Sequence, residues 1–290
     1  MSLTSLLEDP VLREAMARRF PMPAVRLSGN LAAPPITSDY ARVGMACDYL
    51  LRFAIERAFP HKIRKRDHWA AEIGFAMLIS AFDRRPMNEP SDKNFVRSLG
   101  IRLQSAKQCY ERYLDDGVLT DELIESALFL ARLETVFRAG VFDFRETSRA
   151  RIKSNTADLR AILATADLSL FEAKQWCYLN PDFGGASTLV GGADADLIVD
   201  DTLVEIKTTR RLRVERSYLN QLLGYCILAL VGGVNGEKPG PEIRRIGIYF
   251  ARHGVMWNAS LDEFATRKDF LEFKDRFVEY VARRQAPERK

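Results

Sequence analysis

Cysteine is scarce and scattered in this chain. Four occur among 290 residues, at Cys47, Cys109, Cys177 and Cys226, and no two share a Cys-x-x-Cys spacing. That excludes the usual zinc and iron–sulfur ligand patterns and a disulfide scaffold, and fits reduced, buried thiols. Histidine is rarer still: His61, His68 and His253 show no metal-ligand spacing. Long apolar runs are missing too. The longest, around Tyr225–Val231, falls far short of the roughly 20 residues that span a bilayer. The first residues mix Glu8, Asp9 and Glu14 with apolar positions, unlike a secretory leader. A large charge excess is also lacking, since the formal net charge is only +4, so bulk charge gives no argument for nucleic-acid binding. These absences lead us to expect a soluble cytoplasmic protein with no membrane partner.

What is present is the balance of a folded globular chain, 47% apolar and 28% charged. Local charge says more than the total. One basic run covers His61–His68, and a second, Arg210, Arg211, Arg213 and Arg216, follows a strand-like segment. Helical spacing of apolar residues predicts helices over 2–19, from Ser38-Asp39 to about 58, over 69–82, from a Ser91 cap to 114, from Thr120 to Gly140, and over 156–176. Pro-rich passages (Pro21, Pro23, Pro34, Pro35; Pro86, Pro90) and the first basic run break them. After Pro181 the period changes to two, predicting strands at 186–190, 194–200 and 203–208. A helix over 216–231, strands near 243–250 and 254–258, and a helix from 261 to 284 complete the chain. The resulting division is a helical N-terminal region, 1–155, of unassigned role, and an α/β region, 156–290.

The informative stretch is Gly191-Gly192-Ala193-Asp194-Ala195-Asp196-Leu197-Ile198-Val199-Asp200-Asp201-Thr202-Leu203-Val204-Glu205-Ile206-Lys207-Thr208-Thr209. It reads as a hairpin with Asp200-Asp201 at the turn. Strand alternation puts Glu205 and Lys207 on one face and Ile206 on the other, and pairing brings Asp196 beside them. Two carboxylates and an ammonium on one sheet face suit a divalent cation better than a core. Asp194 shares that face and is the fallback for Asp196, which is preferred because Leu197-Ile198-Val199 follows without interruption. Glu172-Ala173-Lys174 repeats the Glu-x-Lys pattern on a predicted helix and receives no role. Glu205 and Lys207 as a plain surface ion pair is the competing reading.

Taken together, the glycine pair, the Asp-led strand, Glu205-Ile206-Lys207 and the helix carrying Tyr218, Gln221 and Tyr225 resemble the PD-(D/E)XK nuclease superfamily. The resemblance covers about residues 156–260. It implies a restriction-endonuclease-like core, a mixed central sheet flanked by helices, here preceded by the mainly helical region. It further implies Mg²⁺, or Mn²⁺, held by Asp196, Glu205 and the Ile206 carbonyl, with Lys207 serving the attacking water and Gln221 orienting it or contacting phosphate. Many members add an acid from an upstream helix, for which Glu134 is the choice, with Glu56 and Glu172 as rivals. The Pro181-Asp182 pair matches the family's letters but precedes the strands. Arg210, Arg211 and Arg213 would hold backbone phosphates. The expected activity is metal-dependent phosphodiester hydrolysis of nucleic acid, DNA ahead of RNA, with room for a homodimer or an accessory protein partner. The alternative is a catalytically silent nucleic-acid-binding or protein-interaction module of the same fold.

Overall fold

The computed structural model describes residues 2–83, 90–143 and 148–285. Its α/β architecture is a six-stranded mixed sheet whose strands lie side by side in sequence order: β1 (Ile63–Lys65), β2 (Cys177–Leu179), β3 (Leu197–Val199), β4 (Thr202–Lys207), β5 (Arg245–Phe250) and β6 (Val255–Ser260). β2, β3 and β4 form an antiparallel meander, β1 joins β2 in parallel, β5 joins β4 in parallel, and β6 is antiparallel to β5.

Strand alternation splits the core into two layers. Leu197, Val204, Ile206 and Tyr249 face a mainly helical layer that includes α3 (Tyr40–Ala58), α4 (Ala70–Asp83), α5 (Pro90–Asp116), α6 (Asp121–Ala139) and α7 (Arg149–Leu163). Ile198, Leu203, Ile246 and Ile248 face the opposite layer of α1 (Leu3–Leu7), α2 (Pro10–Arg19), α8 (Gly185–Leu189), α9 (Arg216–Gly232) and α10 (Arg267–Gln285). Each core therefore draws on residues from both sides of position 155. Gly74 lets α4 and α6 approach closely, because a Cβ there would lie 2.1 Å from the Leu133 carbonyl oxygen.

Local chemistry explains where these elements depart from the sequence expectation. The first helix is broken at Glu8-Asp9, where Asp9 accepts from Val11 N–H and Pro10 starts α2. The basic run holds β1 at the sheet edge rather than a plain break. The helix expected over 156–176 ends at Leu163, and the following chain turns through a 3₁₀ segment, Leu168–Phe171, into β2. There the Asp200 carboxylate accepts from the N–H groups of Lys174, Gln175 and Trp176, so these donors serve the β3–β4 turn instead of a helix. Glu172-Ala173-Lys174 is accordingly not helical.

The strand expected at 186–190 is the short helix α8. Ser187 Oγ accepts from Phe183 N–H, and small residues pack the turn against α9, where a Cβ on Gly232 would strike the Phe183 carbonyl oxygen. A Ser260 capping box tightens 261–263 into a 3₁₀ turn, delaying α10 to Arg267. The expected break at Pro86 lies outside the described residues, as does the side chain of the expected cap Ser91.

Candidate active site

The hairpin register sets the centre of the site. Leu197 pairs with Val204 and Ile198 with Leu203, so Asp196 falls opposite Glu205 one position beyond the ladder. Asp196 Oδ2 accepts the Ile206 N–H at 2.7 Å. Glu205, Lys207 and Leu203 project toward α9, while Ile206 points into the helical-side core. Lys207 Nζ donates to Glu205 Oε1 at 2.8 Å and to Gln221 Oε1 at 3.0 Å, and lies 4.8 Å from the Tyr218 ring centroid. Gln221 Nε2 in turn donates to the Tyr225 hydroxyl at 3.0 Å. A strand and the next helix thus hold one ammonium in a fixed direction.

A further carboxylate arrives from the opposite layer. Asp48, on α3, is held well above the usual carboxylate range, first by burial and then by the negative charge of Asp196, with Glu205 and Glu134 adding to it against Arg52. Asp196 is pushed up to about 7, again by burial and then by Glu205. Burial works against the charged form of Lys207, but Glu205, Asp196 and Asp48 outweigh it and raise its pKa. Asp48 was not among the residues singled out from the sequence. The available signal was an acid beside the apolar positions Val43, Cys47, Leu50 and Leu51, on a Gly44–Asp48–Arg52 stripe at four-residue spacing. Gly44 brings this stripe against the end of β4, since a Cβ there would sit 3.0 Å from Thr208 Oγ1.

Glu134 and Asp194 belong to an adjoining clamp. Arg138 donates to Glu134 Oε1 at 2.5 Å and to Asp194 Oδ1 at 2.8 Å, while Asp194 also accepts from Asn180 and Arg66. Although burial opposes the charged form of Asp194, Arg138 and Arg66 hold its pKa below the ordinary value. Asp182 turns back to its own loop, accepting from Gly184 N–H. Glu56 is taken up by Lys65 and Tyr110, and Glu172 is exposed beyond the 3₁₀ turn. Arg210, Arg211 and Arg213 stand exposed on the loop from β4 to α9, without an ion pair among the described residues.

Carboxylate oxygens are the donors a hard cation takes, and Glu205 Oε2 is buried with no hydrogen-bond partner. With the mutual repulsion of Asp48 and Asp196, that orphan atom suits a divalent ion. The arrangement is not a closed cage: among the described residues, no three His, Cys, Asp or Glu side chains are grouped closely enough to enclose one. Comparisons with protein-family models, with curated proteins and with solved structures find no match to this chain.

Proposed function

We propose that this chain is a metal-dependent nuclease of the PD-(D/E)XK type, hydrolysing phosphodiester bonds, with DNA the first substrate to try. The observation that carries this reading is the convergence of Asp196, Glu205 and Lys207 at one end of the hairpin, with Gln221 on the ammonium and the Asp196 charge felt at Asp48. The succession of meander, helix and parallel strand (β2-β3-β4-α9-β5) supports a restriction-endonuclease-like core. No helix among the described residues is long and apolar enough to cross a membrane.

On this reading Asp196, Glu205 and the Ile206 carbonyl hold Mg²⁺ or Mn²⁺, and Asp48 replaces Glu134 as the upstream-helix acid. A bound ion would acidify water and neutralise charge on the phosphate. Lys207 stays protonated among its carboxylates, so it donates toward a phosphate oxygen or the incoming water and is not the base. Gln221 and Tyr218 limit where its ammonium can point. Water adds to phosphorus, one P–O ester bond breaks, and the departing oxygen takes up a proton. The exposed arginines 210, 211 and 213 hold flanking phosphates without reading sequence.

The test is cleavage of single- and double-stranded DNA and RNA with Mg²⁺ or Mn²⁺. Lys207→Ala should lower the rate about 10²–10³-fold while circular dichroism stays unchanged. A wild-type protein that binds nucleic acid but cuts none with either ion would instead mark a binding module.

A further inference from the structure

We infer that the narrow cleft between α3, β1 and Trp69 binds a phosphate of the nucleic-acid strand, with the Arg52 guanidinium as its anchor. This rests on the nuclease reading for its ligand class, but names a subsite outside the Asp196–Glu205–Lys207 centre. Tyr49, Phe53 and Trp69 form one wall of the cleft, and Arg52, Lys65 and Arg66 supply its cations. Two of those cations are already engaged: Lys65 bonds Glu56, and Arg66 bonds Asp194 and Asn180.

Arg52 differs. It is only 9% exposed, its Nε donates to the Asp48 carbonyl of its own helix, and its guanidinium lies 4.7 Å from the Tyr49 ring centroid. Among the described residues it has no carboxylate within ion-pair distance, and Nη1 and Nη2 have no hydrogen-bond partner. A nearly buried planar fork with free donors, on a residue that lines the cleft, matches the geometry of phosphate oxygens. Its place one turn after Asp48 puts the cleft next to the acids, and its charge offsets both Asp48 and Asp196. Trp69, half-buried in a cluster with Tyr49, Phe53 and Tyr110, lines the cleft and is the ring on which a base would stack.

Binding is read separately from cutting, so the two readings can fail separately. Short single-stranded oligodeoxynucleotides, with a 5′-phosphate or a 5′-hydroxyl, are titrated into the full-length protein with Ca²⁺ and again with EDTA. Anisotropy and tryptophan fluorescence are followed. Arg52→Gln should weaken binding on the order of tenfold, and Arg52→Lys, which keeps charge and stem but not the fork, should recover only part of it. Loss confined to the phosphorylated strand assigns a terminal phosphate; loss on both assigns an internal diester. Trp69→Phe should abolish most of the fluorescence change. Folded Arg52→Gln and Arg52→Lys that both bind as wild type, or a fluorescence change unaltered in Trp69→Phe, would overturn the subsite. Should Arg52→Gln unfold, the lysine variant and Trp69→Phe decide the matter. A wild type that binds in this Arg52-dependent way yet never cuts would sink the nuclease reading and leave the subsite standing.

Discussion

Asp196 combines two demands that pull against each other. Its Oδ2 accepts the Ile206 N–H, which favours a carboxylate, while burial and Glu205 favour the protonated acid and win, putting its pKa at about 7. The unfolded chain titrates this group near 3.9, so between about pH 4 and 7 the folded state holds more protons. Metal-free stability contributed by this group should therefore be fullest below pH 4 and fall as pH rises through 7. Asp196→Asn keeps an acceptor for Ile206 and removes the charge. It should stabilise the metal-free protein by about 1–3 kcal/mol at pH 8 and flatten that slope, as measured by urea denaturation. Equal stability of both proteins across this range would mean that Asp196 is not strained. The same variant should lose binding of the divalent ion, since a stabilised but ligand-poor site is the expected cost of removing a repelling carboxylate. At Lys207 the raised pKa means that activity should not fall through neutral pH by loss of its proton.

Among the elements, the tightest constraints lie where helices and loops cross the sheet ends. Arg252, in the β5–β6 turn, is fully buried and forms a paired contact with Asp158 of α7 at 2.8 Å, and it also donates to the carbonyls of Ala33 and Thr208. It ties α7, the segment before α3 and the end of β4 together, next to the site. Asp158→Ala leaves that guanidinium buried without its carboxylate and should cost about 3–5 kcal/mol, read from the urea midpoint. Gly74→Ala should cost about 1–3 kcal/mol by pushing α4 off α6. The elements legible beforehand were those with strong local signals. Thr120 caps α6 and Gly140 ends it in the left-handed conformation, as their positions suggested. β2 and α8 escaped because their determinants are distant: the Asp200 carboxylate at 174–176, and the packing of Gly232 on the Phe183 loop. β1 escaped because a three-residue edge strand, Ile63-Arg64-Lys65, is too short to show an alternating pattern.

For the molecule as a whole, electrostatics should decide association more than net charge does. The exposed arginines 210, 211 and 213 leave the Lys207 end of β4 on the solvent side. Replacing all three with alanine should reduce the slope of log binding constant against log salt by roughly 2–3, while a protein in which they contact nothing would keep the wild-type slope. The sequence alone was sufficient for the placement of the hairpin's charged side chains: period-two alternation dictates that Glu205 and Lys207 share a face, and the short turn dictates that Asp196 returns beside them. The glutamine at 221 was singled out by the resemblance to the nuclease superfamily, and the structure places it on the Lys207 ammonium. Tertiary structure decided where the other charges lie. Asp48 and Glu134 are both acids among apolar helix positions, and nothing local separates them. Packing of α3 across the sheet end brings Asp48 toward Asp196, whereas Arg138 ties Glu134 and Asp194 into a clamp. Such pairings depend on which helix faces cross which strand ends, and that is a property of the assembled layers, not of any one segment.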